Sequence, residues 1–270
     1  MRKRILSTVG LWAVIIAVVA FFGSLGGILL LAALAALTQF ELYKLLEKMG
    51  YYRPLKWTGT ALGLIIIIGS YLLYQQGLSS SGALDVFALC MLLLSFSLIV
   101  WPEVKRTFLP TLFGLIYIPF MLQFYGMMIK EYGSVMVPIF IIAAAKFSDV
   151  GGLLFGMALG KHKLCPHISP NKTVEGAVGG IVTSAAIGAL LFWAFPQYLP
   201  TALTLGTTIV IAAVIGVIAL ASDLIESILK RQAGVKDSGK AIPGIGGAFD
   251  LMDSLILTAP AGYLLFKYLV

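Results

Sequence analysis

The feature that most constrains this chain is a succession of apolar runs, each long enough to cross a lipid bilayer and separated from the next by a short polar break. A transmembrane helix needs about 20 mostly apolar residues, because lipid offers the backbone no partners and a helix pairs its own N–H and C=O groups. Nine such runs are legible, near residues 5–22, 27–46, 57–76, 83–101, 108–129, 134–160, 174–195, 203–229 and 249–269. Only 11% of the 270 residues are charged and 60% are apolar, whereas a soluble domain carries about 25% charged residues. A soluble fold of this length could not cover so much apolar surface. The sequence therefore predicts an all-α polytopic membrane protein with about nine transmembrane helices.

The N-terminus reads Met-Arg-Lys-Arg before its first apolar run, which has the flavour of a secretory signal. The run exceeds an ordinary signal core and no small-x-small cleavage site follows, so a retained first span is expected. Cytoplasmic loops collect Lys and Arg. With the N-terminus cytoplasmic, nine spans place 16 of the 19 basic residues on the cytoplasmic side. Lys130 and Lys267 fall outside, and Lys146 lies within a span. The C-terminus is then expected on the opposite side, in a multi-pass protein of the cell (inner) membrane. Cys90 and Cys165 sit in different segments and suggest neither a disulfide framework nor a metal site. Gly152, Gly156 and Gly160, with Gly176 and Gly180, form small-xxx-small stripes that let helices approach closely.

The acids divide the chain. Up to residue 130 they lie near span ends, at Glu41, Glu47, Asp85 and Glu103; beyond it they enter or flank the spans. Asp149 lies inside the sixth span, three residues after Lys146, so the two share a helical face and can pair. An ionisable group at that depth is a candidate site residue. The eighth span ends in Ser-Asp-Leu-Ile-Glu-Ser-Ile-Leu-Lys-Arg, with Asp223, Glu226 and Lys230 on one stripe. The ninth opens with Phe-Asp-Leu-Met-Asp-Ser, placing Asp250 and Asp253 on one face. Asp250 and Asp253 could simply complement a helix N-terminus. Four carboxylates gathered together would instead call for a divalent cation, and hard oxygen ligands suit Mg²⁺.

Between these spans, residues 232–247 carry five glycines and the lysines Lys236 and Lys240. Glycine-rich backbone can turn N–H groups toward a phosphate, and flanking lysines add charge. Residues 234–240 match the start of a Walker A motif, but Ala241 replaces the required Ser/Thr and a membrane helix precedes it, which excludes a P-loop. A second basic loop, residues 161–176, offers Lys161, Lys163, Ser169, Lys172 and Thr173 to phosphate. His162 and His167 lack zinc spacing and read as surface histidines. Phosphate together with Mg²⁺ points to a nucleoside triphosphate.

The stretch 227–253 resembles the signature of the phosphatidate cytidylyltransferase family. Ser227, Lys230, Arg231, Lys236, Asp237, Pro243, Gly246, Gly247, Asp250 and Asp253 fall in register with it. The run from Asp149 through Gly-Lys-His-Lys-Leu and Ile-Ser-Pro-Asn-Lys-Thr to Glu175-Gly176 resembles the family's upstream block. Two positions depart: Ile245 stands where the family usually has His, and Leu251 where it has Arg. The resemblance implies CTP + phosphatidic acid → CDP-diacylglycerol + pyrophosphate.

It also implies that Asp223, Glu226, Asp250 and Asp253 hold Mg²⁺, with Asp149 added to the set and a second cation plausible beside so many acids. Lys230, Arg231, Lys236 and Lys240 would meet the CTP phosphates, alongside Gly246 and Gly247. Lys161, Lys163, Ser169 and Lys172 would take the lipid phosphate or share the triphosphate. Residues 1–130 are then accessory transmembrane helices, and 131–270 a catalytic region with a site facing the cytoplasm. The expected partners are CTP, phosphatidic acid and the bilayer, with no nucleic acid; a homo-oligomer stays open. A cation-coupled transporter would require internal repeats and midplane acids, and no repeat is visible. A CTP-dependent lipid kinase would use similar charges to transfer the γ-phosphate.

Overall fold

The structure, a computed structural model, describes residues 2–77, 82–100, 104–239 and 246–270. Its described residues form eight helices and one short hairpin. The helices are α1 (Arg2–Lys48), α2 (Lys56–Gln75), α3 (Gly82–Val100), α4 (residues 104–132), α5 (Met136–Leu159), α6 (Val174–Ala194), α7 (Leu205–Gln232) and α8 (Ala248–Leu269). The first two predicted runs fall in α1, whose backbone breaks at Gly23 (φ 61°, ψ −147°), between the two. Among the described residues, seven helices are long and apolar enough to cross a membrane; the apolar stretch of α3, Leu84–Leu98, is shorter. Large apolar side chains such as Phe21, Trp57, Leu109 and Trp193 are exposed, as expected where lipid rather than water surrounds them.

The chain divides into two compact units: residues 1–130 with 229–252, and 131–228 with 253–270. In the first, Leu62 and Ile66 of α2 pack with Val86, Cys90 and Leu94 of α3 and Leu115 of α4. Two π turns interrupt the helices there, Ile65–Gly69 in α2 and Ile116–Phe120 in α4. The second contains Pro119, whose missing N–H and ring disturb the ordinary helical ladder. A buried polar chain ties three helices. Gln39 Nε2 donates to Tyr43 Oη (2.8 Å) and to the Gly59 carbonyl (3.0 Å), and Tyr43 Oη donates to the Thr111 carbonyl (3.0 Å).

In the second unit, α5 and α6 pack along the glycine stripe that the sequence shows. A Cβ at Gly176 would stand 2.7 Å from the Gly152 carbonyl oxygen, and one at Gly180 would stand 2.8 Å from that of Ser148. Both are closer than a real Cβ tolerates, so these two glycines set the helix separation. The connection between α5 and α6 is the antiparallel hairpin β1 (Lys163–Cys165) and β2 (Ser169–Thr173), with Lys163 opposite Thr173. Thr173 then caps α6, its Oγ1 accepting from Gly176 N–H at 3.1 Å. Cys165 lies in this hairpin and Cys90 in the first unit's core, both as free thiols.

Candidate active site

The second unit holds a carboxylate cluster. Asp223 and Glu226 project from one face of α7, and Asp253 from α8; one oxygen of each lies within 4.8 Å of the others. Glu226 is fully buried. Asp149 is in electrostatic reach of Asp223 and Asp253. Two lysines enter the same cluster. Lys172, at the end of the hairpin, reaches Asp223 at 2.6 Å. Lys146 spans Asp149 (3.8 Å) and Asp253 (3.4 Å) and donates to Ser254 Oγ at 2.7 Å. The predicted pairing of Lys146 with Asp149 is therefore present, and Lys146 also bridges to α8. Ser222 Oγ donates to the Asp253 carbonyl, pinning α7 to α8 beside the acids.

Four carboxylates against two ammonium groups leave a formal charge of −2. One divalent cation would neutralise that excess. The donors are all hard oxygens, the set that Mg²⁺ takes. The residues therefore fit a metal of this class, with Asp223, Glu226 and Asp253 as the ligands best grouped for it.

Asp250 is not among them. It belongs to the first unit, where it bonds to Ser238 and Gly247, on either side of residues 240–245. Its Oδ1 accepts from Lys230 Nζ at 2.7 Å. Its Oδ2 accepts from Gly247 N–H (2.6 Å) and Ser238 N–H (3.0 Å), and lies 2.9 Å from Ser238 Oγ, whose single hydrogen is shared between this carboxylate and that of Glu41. Gly247 precedes α8 and Asp250 is the third residue within it, so the contact is the acidic half of a capping box. The sequence places Asp250 among the Mg²⁺ ligands, with a helix-terminus role as the lesser alternative; its described contacts are those of a cap. Gly247 N–H, expected to face phosphate, is directed at this carboxylate. A Cβ at Gly247 would collide with Glu41 Oε2 and Ser238 Oγ, which is why glycine is needed there. Gly246 has φ 129°, a conformation other residues rarely adopt.

Glu41 was missed as a site residue. It extends from α1, is 8% exposed, and its Oε2 accepts from Ser238 Oγ (2.9 Å) and from Phe249 N–H (3.0 Å). The sequence signal was an acid in an otherwise apolar span, read as lying near the span's end. Lys146, Ser238 and Ser254 were likewise not among the predicted site residues.

The remaining candidates are more exposed. Lys161 and Lys163 flank the hairpin's open end, Ser169 is half-buried in β2, and Arg231 and Lys236 are exposed beyond the acidic stripe of α7. The hairpin's base is held by Glu175, which accepts from Lys161 N–H at 3.0 Å and contacts His162 Nδ1 at 2.6 Å. His162 is exposed, as expected for a surface histidine. Leu251 is buried. Residues 240–245, including Lys240, Pro243 and Ile245, lie outside the described residues.

Seven helices long and apolar enough to cross a membrane, with a cluster of three carboxylates that could hold a metal ion, define a polytopic membrane protein with a candidate metal site. Residues 2–269 match the model of the Cytidylyltransferase family, and the chain belongs to that family. It is similar to a phosphatidate cytidylyltransferase of Chlamydia pneumoniae, 32% identical over 219 residues, covering 80% of this chain and 64% of that one. It is also similar to a phosphatidate cytidylyltransferase of a Synechocystis species, 41% identical over 132 residues, 48% of this chain and 43% of that one. A third relative, the uncharacterized protein YnbB of Escherichia coli, is 36% identical over 140 residues, 50% of this chain and 44% of that one. The matched part thus spans between 43% and 64% of the length of these relatives.

Proposed function

We propose that this chain transfers a cytidylyl group from CTP to phosphatidic acid, producing CDP-diacylglycerol and pyrophosphate for phospholipid synthesis. The observation that carries the proposal is the Asp223–Glu226–Asp253 cluster in a chain that matches the Cytidylyltransferase family over residues 2–269. The names of the Chlamydia and Synechocystis relatives supply the substrate class.

The chemistry asks little of a base, since a lipid phosphate oxygen is already a nucleophile. That oxygen attacks the α-phosphorus of CTP; the new P–O bond forms as the bond to the departing pyrophosphate oxygen breaks. Alignment and charge neutralisation then carry the rate. Asp223, Glu226 and Asp253 would hold Mg²⁺, with Asp149 as a further acid beside them; one divalent ion balances these acids, and a second cation would answer the negative charge that the substrate phosphates bring. When bound, the metal would neutralise charge on the reacting phosphates. Lys230, Arg231, Lys236 and Lys240 bind the CTP phosphates in this reading, near Gly246 and Gly247. Lys161, Lys163, Ser169 and Lys172 bind the lipid phosphate or share the triphosphate. Lys172, at 2.6 Å from Asp223, joins the phosphate-binding hairpin to the acids.

The same reading takes the nine apolar runs as nine spans of the cell (inner) membrane, with the N-terminus cytoplasmic and the C-terminus opposite. It assigns residues 131–270 to catalysis, and 1–130 to supporting helices. The test is conversion of phosphatidic acid by the detergent-purified protein with CTP and Mg²⁺. Equimolar pyrophosphate and CDP-diacylglycerol are expected. Formation of CDP and a lipid with one more phosphate would assign a kinase instead, and no CTP-dependent product would refute the proposal.

A further inference from the structure

Among the described residues, the buried Glu41 side chain joins the N-terminal half of the chain to Ser238 of the glycine-rich segment and to the start of α8. Glu41 lies some 200 residues before its partners in sequence, on the helix that Gln39 and Tyr43 lock against α2 and α4. Its Oε2 takes both the Ser238 hydroxyl and the Phe249 amide. The segment is shaped around this carboxylate: a Cβ at Gly239 would collide with Glu41 Oε1, and one at Gly247 with Oε2. Ser238 sits between Glu41 and Asp250, 2.9 Å from each, and Asp250 holds Lys230 at 2.7 Å. A continuous polar chain therefore runs Glu41, Ser238, Asp250, Lys230.

We infer that Glu41 is a positioning residue for the nucleotide: by fixing Ser238 and the first turn of α8, it sets where Asp250 holds the Lys230 ammonium. The inference rests on the proposed CTP chemistry for its kinetic consequence, and on geometry alone for the tether. Glu41 touches no substrate in this reading and acts through Lys230 and the loop. Both described hydrogen bonds fall on one oxygen, so geometry rather than charge is what the loop needs. A glutamine carbonyl can occupy that oxygen's place; an alanine takes from the buried Phe249 N–H its described acceptor and leaves the Ser238 hydroxyl held by Asp250 alone.

The experiment compares wild type, Glu41→Gln, Glu41→Ala and Ser238→Ala as full-length, detergent-purified proteins. It reads the KM for CTP, the KM for phosphatidic acid, kcat, and amide hydrogen exchange over residues 232–239 and 246–250. Glu41→Ala should raise the CTP KM at least tenfold, leave the phosphatidic acid KM within twofold, and speed exchange at Phe249. Glu41→Gln should restore the CTP KM to within about threefold of wild type. Ser238→Ala keeps the buried carboxylate, so it reads the chain even if Glu41→Ala fails to fold; its CTP KM should rise threefold or more. An unchanged CTP KM in Ser238→Ala, equal rises in both substrates' KM values, or a glutamine variant as impaired as the alanine would each overturn the inference. If wild type shows no turnover, the functional proposal has failed. Exchange at Phe249 then still decides the tether, unchanged protection in Glu41→Ala refuting it.

Discussion

Replacing Glu226 with glutamine separates a metal-binding cluster from a structural one. Glu226 is fully buried, and its carboxylate lies within 4.8 Å of those of Asp223 and Asp253. At that separation each like-charge pair is unfavourable by about 3.5 kcal/mol at an effective dielectric of about 20. Glutamine removes two such pairs, about 7 kcal/mol of gross repulsion on the same scale. Lys172 and Lys146 already offset much of this, through Asp223 and Asp253. A net stabilisation of about 1–3 kcal/mol of the metal-free protein is expected after that offset. It should appear as a Tm rise of about 2–4 °C per kcal/mol for a chain of this size class. Wild type at 100 times its Mg²⁺ Kd should gain about 2.7 kcal/mol, and the variant should gain little. Thermal unfolding in EDTA and across a Mg²⁺ titration, with turnover measured on the same samples, reads both effects. A variant that melts lower in EDTA yet keeps the wild-type Mg²⁺ shift would refute the reasoning, since removing a structural partner destabilises.

Three further outcomes are expected. Lys172→Met removes the cation 2.6 Å from Asp223; the KM for phosphatidic acid should rise at least tenfold and that for CTP less, and steady-state kinetics with each lipid and nucleotide varied would show it. Gly247→Ala forces a methyl group against Glu41 Oε2 and Ser238 Oγ; a loss of about 1–3 kcal/mol is expected, read as a lower Tm with faster proteolysis within residues 232–247. Reporter fusions at Val270 and within the 161–172 loop should lie on opposite sides of the membrane, and the same side for both would overturn the nine-span topology.

The helices were legible because membrane insertion imposes one rule on every span: about 20 apolar residues, with the backbone satisfied internally. The glycine stripe at Gly176 and Gly180 was legible for a similar reason, since only a missing Cβ lets two helices meet at such distances. The hairpin at 163–173 was not. Its strands are short and polar, and neither alternation nor an apolar face marks them. What orders them is tertiary: Glu175 gathers the Lys161 and His162 amides, and Lys172 is drawn to Asp223.

The acids show where reading by helical face stops being sufficient. Asp223 and Glu226 are three apart on α7, and that spacing does bring them together. Asp250 and Asp253 are also three apart on α8, yet the described contacts give them different partners. Asp253 meets Lys146, and Asp250 meets Lys230, Ser238 and Gly247. Periodicity cannot distinguish these cases, because both are consistent with one stripe. The difference lies in what the helix's first turn demands. Its N–H groups have no intrahelical acceptors, and an acid at the third position is the nearest one able to turn back and accept. Asp253, one turn further on, lies past those N–H groups; it takes the adjacent Ser254 amide at 2.6 Å and joins the cluster. The same argument explains Glu41, which serves the Phe249 amide that Asp250 is not shown to take. The first turn of α8 therefore draws on two side-chain oxygens as acceptors, those of Asp250 and Glu41, before any metal is considered. Asp250→Asn should accordingly disturb the 232–247 segment and nucleotide affinity. Asp253→Asn should abolish the Mg²⁺-dependent stabilisation while leaving amide protection at Gly247 and Phe249 intact. Exchange and Mg²⁺ titration on the two variants side by side check this, and identical behaviour of the pair would show that the first-turn distinction is wrong.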